Sequence, residues 1–239
     1  MAESTLYFSF HQPWEFYPKD ESWQEKEKNK ESFKTNAREK YIPALEDILK
    51  VQKEHPSFNT GLVFSGKFIQ DAEQHSPEVI KRVQEMNESG NNQVELITRP
   101  YHNTLSMFFG DKEEFVEQVS MQRSLIREHF GIESYSFKPV SRVFNDGLAE
   151  QIENMGMKFV YADLPHQNRG PKYLTKKGTL IIPRNRQASG KFMTKTPSEL
   201  VREIENSTNG NLGIPLNKIN SSEFGEYLEK LVRESESRG

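Results

Sequence analysis

Apolar runs and amphipathic stretches alternate along this chain, and the alternation predicts strands interleaved with helices. Thr5 to Phe10 is a short β-rich run ended by His11-Gln12-Pro13. Glu21 to Glu54 reads as mostly helical. Its first half is almost all charge, and its second half carries Tyr41, Leu45, Ile48 and Leu49 at helical spacing. Pro43 should break or kink it. Further strands are expected at Thr60 to Phe64, Val94 to Thr98, Ser134 to Phe137, Phe159 to Tyr161 and Thr179 to Ile182, with a last one at Leu216 to Ile219. Helices are expected at Lys67 to Gln74, Pro77 to Glu88, Asp111 to Phe130, Asp146 to Met155, Thr196 to Asn206 and Ser222 to Ser235. Asp111 and Glu114 suggest a capping box, and Gly131 and Gly156 mark helix ends. Leu164 to Lys177 is the longest stretch without a pattern. About seven strands, each followed by a helix or loop, predict a parallel α/β sheet with crossover helices.

Composition narrows the class. The 239 residues are read as a single domain over residues 1–239. There are no cysteines, which excludes disulfides, thiolate catalysis and cysteine-based zinc sites and suits a reducing compartment. The first residues, MAESTLYFSF, lack the basic start and apolar run of a signal peptide, and no apolar run is long enough to span a membrane. A cytoplasmic location is the expectation. The net charge is −3 with signs interspersed, which gives no nucleic-acid-binding face.

In a β/α barrel the working side chains sit at the carboxyl ends of the strands. Candidates in that position are His11, the Tyr101-His102-Asn103 turn, Ser141 to Asp146, Asp163, His166, Glu223 and Glu226. Glu95, like Asp146, Asp163 and Glu223, is expected near a strand end, where a carboxylate could serve. Each has a structural alternative: Glu95 could hold a polar network inside the barrel, Asp146 could cap a helix, and Glu223 could serve a helix's first turn. Trp14, Phe16, Tyr17, Tyr101 and His102 could line a sugar-stacking cleft, or could be ordinary core. The first strand ends in His-Gln-Pro, with no His-x-Asp pair and no HxxxH, so neither a metal nor a cofactor is expected.

Taken together, these segments resemble glycoside hydrolase family 57, the α-amylase-like group. LYFSFHQPWEF looks like its first hallmark through His11, Gln12 and Pro13. GNNQVELITRPYHNTLS resembles the second through Val94, Glu95, Leu96, Tyr101 and His102. FKPVSRVFNDGLAEQIENMGMKFVYAD and PRNRQASGKF resemble the third and fourth, and INSSEFGEY the fifth through Phe224, Gly225 and Glu226. The resemblance implies an incomplete seven-stranded parallel β/α barrel, here without the family's usual C-terminal helical extension.

The resemblance also implies two missing acids. Matching through Phe144, Asn145 and Asp146 puts the family's glutamate nucleophile at Ser141. Matching through Arg184, Asn185 and Ser189 puts its aspartate acid/base at Gly190 or Lys191. Glycoside cleavage needs two positioned carboxyl groups. The family includes members with incomplete machinery, and this chain is expected to be one of them. It would bind an α-glucan or a protein partner rather than cleave sugar. Two further readings remain: an active hydrolase or transferase with relocated carboxylates, and a scaffold whose old site is plugged by Lys191 paired with Glu95 or Glu223.

Overall fold

A computed structural model describes residues 5–12, 26–88, 94–108, 112–142, 144–163, 173–207, 210–216 and 219–238. The first strand, β1 (Leu6–Phe10), is followed by a long helical stretch. This comprises α1 (Lys26–Asn36), a π-helical segment (Ala37–Tyr41) and α2 (Ile42–Glu54). Then come β2 (Thr60–Phe64), α3 (Gly66–His75), α4 (Pro77–Glu88), β3 (Val94–Ile97) and α5 (Glu113–Phe130). The second half holds β4 (Ser136–Phe137), α6 (Asp146–Asn154), β5 (Phe159–Ala162), β6 (Tyr173–Leu174) and β7 (Leu180–Pro183). It closes with α7 (Arg186–Gly190), α8 (Pro197–Glu205), β8 (Leu212–Pro215) and α9 (Ser221–Glu236). Among the described residues, no helix is long and apolar enough to cross a membrane.

The strands form two four-stranded sheets, β3-β2-β1-β8 and β4-β5-β7-β6. A parallel bridge between Thr98 and Phe137 joins them, so β8, β1, β2, β3, β4, β5 and β7 follow one another in a single parallel series. Among the described residues only β6 is antiparallel, paired to β7 as a short ribbon. Among the described residues β7 and β8 share no ladder. The Asn185 N–H donates to the Asn211 carbonyl at 2.8 Å, Asn211 Nδ2 donates to the Pro183 carbonyl at 3.1 Å, and the Gly213 N–H donates to Ser189 Oγ at 3.1 Å. The result is an incomplete seven-stranded parallel β/α barrel, open between β7 and β8.

Alternation along β1 separates two cores. Tyr7 points inward and clusters with Val63, Ile97, Tyr161 and Ile182 from four other strands. Leu6, Phe8 and Phe10 point outward against the helices. The Phe8 ring meets Phe224 of α9 edge-on with centroids 5.4 Å apart. Both faces are covered, as a parallel strand requires. Full burial of a side chain like Phe8 contributes about 1.5–3 kcal/mol.

Pro43 does not end the helix. It occupies the first turn of α2, where a missing N–H is tolerated, and the residues before it widen into a π turn. The Ile42 N–H accordingly donates to the Ala37 carbonyl, five residues back.

Three local expectations change. The last strand is Leu212–Pro215, four residues ahead of the predicted Leu216 to Ile219. Its Gly213 lies against the Tyr7 ring, where an added Cβ would come within 2.3 Å of ring atoms, so the strand is built around that glycine. Helix α5 starts at Glu113, with Lys112 before it giving no side-chain cap, and Glu114 accepts from Gln118 Nε2 instead of completing a box; Asp111 lies outside the described residues. Helix α6 is capped by Asn145, whose Oδ1 accepts the Leu148 N–H at 2.8 Å, and Asp146 is its first residue. The Thr196 capping box on α8 closes reciprocally with Glu199.

Candidate functional site

The site is built where the strands end. His11 follows β1 and is half-buried. Its Nδ1 lies 3.5 Å from Ser65 Oγ, and its Nε2 lies 3.2 Å from Asn103 Nδ2. An amide NH₂ only donates, so Nε2 accepts and the Nδ1–H tautomer fits. Burial, then the nearby charges of Arg99 and Lys138, lower the His11 pKa to about 4. The imidazole is therefore neutral near pH 7.

The neighbour Gln12 is held from the helical stretch. Its Oε1 accepts from the Tyr41 hydroxyl at 2.6 Å and from Asn36 Nδ2 at 2.8 Å, and its Nε2 donates to Ser32 Oγ at 3.1 Å. Two of these three partners flank or close the π segment. A regular α-helix would rotate Asn36 and Tyr41 relative to one another, so the π turn is part of what fixes the residue beside His11. Burial pushes the Tyr41 hydroxyl up to about 12.

Ser65 follows β2 and caps α3, accepting the Phe68 N–H at 3.2 Å. Tyr101 lies against the start of that helix: an added Cβ on Gly66 would meet its ring at 2.2 Å. The ring is 4% exposed and meets His102 edge-on at 4.6 Å. Tyr101 is thus a packing residue, while His102 is exposed. Asn103 adopts a left-handed backbone, φ 58°, which asparagine tolerates better than most residues.

Glu95 does not stand at a strand end. It shares the inward face of Ile97 and lies in the first half of β3. One carboxylate oxygen accepts from the Ser136 hydroxyl and the other from Tyr161 OH at 2.8 Å. Burial, then the Glu95 charge, pushes the Tyr161 pKa well up, so Tyr161 stays a donor. Glu95 therefore anchors a polar network across β3, β4 and β5.

Asp163, just after β5, receives both Nε and Nη2 of Arg184 at 2.8 Å, a bidentate pair joining β5 to β7. Arg186 Nε approaches the same carboxylate at 3.7 Å. Glu223 is exposed in the first turn of α9. The side chain of Asp146, and all of Trp14, Phe16, Tyr17 and His166, fall outside the described residues. Among the described residues no three His, Asp or Glu side chains come together in a way that would hold a metal ion.

Ser141 follows β4, is exposed, and holds φ 51°, a left-handed conformation unusual for serine. Gly190 ends α7 and lines a cleft of about 820 Å³ beside the opening between β7 and β8. Arg184, Arg186, Gln187, Ser189 and Thr194 form its polar lining, and Phe192, Met193, Ile214, Pro215 and Ile219 its apolar one. No carboxylate lines it among the described residues. Lys191 turns elsewhere: its Nζ sits 2.8 Å and 3.0 Å from the two oxygens of Glu203 on α8. The expected pairing with Glu95 or Glu223 is not made. A smaller cleft there, of about 450 Å³, does hold two carboxylates, Glu199 and Glu203. Hydrogen bonds from Thr196 hold Glu199 below the usual carboxylate range, and Lys191 holds Glu203 below it. Neither is a proton donor near neutral pH.

The cations Arg99, Lys138, Arg184 and Arg186 were not read from the sequence as site residues. Their position was legible, since each of the first three directly follows Thr98, Phe137 or Pro183 at a strand's end.

The chain was compared with known proteins. A "Putative alpha-amylase" of Methanocaldococcus jannaschii is 30% identical over 166 residues, covering 67% of this chain and 35% of that protein. The chain thus spans about a third of that relative's length. The 4-alpha-glucanotransferase of Thermococcus litoralis superposes with a TM-score of 0.73 at 15% identity, covering 96% of this chain and 37% of that one. A GH57-type branching enzyme of Pyrococcus horikoshii gives 0.70 at 13% identity, covering 98% and 68%. The family description "Glycosyl hydrolase family 57" matches residues 3–206, most of the sequence, and by that match the chain belongs to glycosyl hydrolase family 57.

Proposed function

We propose that this α-amylase-like family member binds an α-glucan and does not cleave it. The observation that carries this reading is the cleft between the ends of β7 and β8. It is lined by Gly190 at a position matched to the family's acid/base and by no carboxylate among the described residues. At the end of β4, Ser141 stands at the position matched to the nucleophile. Retaining cleavage needs one carboxylate to form the glycosyl ester and one carboxylic acid of raised pKa to protonate the leaving oxygen. A serine hydroxyl is a weak nucleophile without a base. The described carboxylates nearest the strands are committed elsewhere, Glu95 to Ser136 and Tyr161, and Asp163 to Arg184.

What remains suits binding. Met193, Pro215 and Ile219, all partly exposed, offer an apolar surface to a sugar ring face, and the exposed Gln187 and Thr194 offer hydrogen bonds to hydroxyls. The 30% identical relative named "Putative alpha-amylase" supports α-glucans as the ligand class.

Calorimetry with maltoheptaose, run beside an assay for new reducing ends, tests both halves. Heat of binding without new reducing ends is expected. No heat at millimolar ligand removes the binding role, and reducing ends that grow with protein concentration remove the loss of cleavage.

A further inference from the structure

We propose that the glycan taken by the β7–β8 cleft carries a negative charge, as a phosphate ester or a uronic carboxylate. This rests on the glycan-binding reading above and names its ligand class. Two arginines, Arg184 and Arg186, line the cleft together with uncharged side chains. They share one carboxylate, Asp163, and the sharing is unequal. Arg184 engages both oxygens at 2.8 Å and is 10% exposed, so it is tied in place. Arg186 reaches the same group only through Nε at 3.7 Å and remains 57% exposed. Among the described residues, two guanidinium charges against one carboxylate leave a net positive lip on the cleft.

The geometry assigns Arg186 as the anion contact. Its planar fork matches two oxygens of a phosphate or carboxylate, and such pairs are stronger than neutral hydrogen bonds. The partly exposed apolar side chains of Met193, Pro215 and Ile219 line the same cleft and can hold the sugar ring. The same sign recurs at other strand ends. Arg99 and Lys138, both buried, follow β3 and β4, and their charge helps keep His11 neutral. A neutral glucan makes no use of an exposed cation such as Arg186. An enzyme that stabilises a cationic sugar centre would be hindered by it.

The test is calorimetry on the full chain at low ionic strength, using maltotriose, maltotriose carrying one phosphate monoester, a trisaccharide ending in glucuronate, and inorganic phosphate. At least one anionic sugar should bind about tenfold or more tightly than maltotriose. Added salt should erode that preference. Arg186→Gln should remove it and Arg186→Glu reverse it, with melting temperatures unchanged because the side chain is exposed. Which anionic sugar wins identifies the group. Equal binding of neutral and anionic sugars overturns the charge inference and leaves glycan binding standing. No binding of any sugar overturns both. Inorganic phosphate binding as tightly as the sugar ester overturns a sugar site. A preference untouched by Arg186→Gln overturns the assignment to Arg186.

Discussion

The ammonium of Lys191 lies 2.8 Å from one oxygen of Glu203 and 3.0 Å from the other, and Lys195 shares the same carboxylate at 3.1 Å. The pairing carries the side chain that follows Gly190 over to α8 and out of the β7–β8 cleft. Glu203 is only 17% exposed, but both lysines are near a third exposed, so solvent screens the pair. Lys191→Gln should lower stability by less than about 1 kcal/mol and leave glycan affinity unchanged. The Glu203 pKa is depressed, so the contribution is present above the usual carboxylate value and disappears as pH falls through the depressed one. Thermal melts of wild type and variant should therefore differ at pH 7 and converge in acid. A gap that persists or widens in acid would mean that the lysine acts through packing.

His11 titrates in a different window. Its pKa falls from 6.5 in the unfolded chain to about 4 in the fold, so the unfolded state binds the extra proton first. Stability from this site is complete above about pH 6.5 and declines as pH drops toward 4. His11→Gln should flatten that part of the melting-temperature profile relative to wild type. Parallel profiles between pH 6.5 and 4 would show that His11 is not held neutral.

The Glu95 network should prove structural. Tyr161→Phe removes a buried donor to a charged acceptor, 2.8 Å away, and should cost about 1.5–3 kcal/mol in urea unfolding. Glycan affinity should survive in the folded protein. Unchanged stability together with lost binding would instead move Glu95 into the ligand site.

Two glycines predict opposite outcomes. Gly213→Ala drives a methyl to within 2.3 Å of the Tyr7 ring, and overpacking of this kind costs about 1–3 kcal/mol. At Gly190 an added Cβ meets nothing within 4 Å, and Gly190→Ala should be neutral or stabilising by up to about 1 kcal/mol. Chemical denaturation of both variants checks the contrast; equal costs would place β8 wrongly against β1.

That contrast also marks what could be read in advance. The residue patterns located β1, β2, β3 and α4 because those elements are chosen by their own residues. The strand at Leu212–Pro215 was missed because it contains Gly213 and Pro215, both poor strand formers taken alone. Its glycine is required by Tyr7, a residue distant in sequence. The π segment escaped for the same reason: Asn36 and Tyr41 converge on Gln12, a contact no local pattern records. At the strand ends, the positions of Ser141 after β4 and Gly190 after β7 could be read from the flanking patterns. The turn of Lys191 toward Glu203 and the arginine pair on Asp163 depend on which helix faces which strand.

Placing acids at the two matched positions tests the proposed absence of cleavage from the opposite direction. Ser141 is exposed and Gly190 is open, so Ser141→Glu and Gly190→Asp should both fold. Residue 141 keeps its left-handed strain with glutamate, whereas Ser141→Gly should gain about 1 kcal/mol by relieving it. Each carboxylate alone leaves cleavage without its partner, so both single variants should stay silent toward maltoheptaose. The double variant should release reducing ends where its two new carboxyl groups can approach to about 5–5.5 Å across the strand ends, the separation that retaining cleavage needs. It should also work better on neutral glucans than on anionic ones, as two new negative charges would offset the arginine lip. A folded double variant that binds glucan and releases nothing would show that the frame holding the two positions has drifted as well as the residues in them.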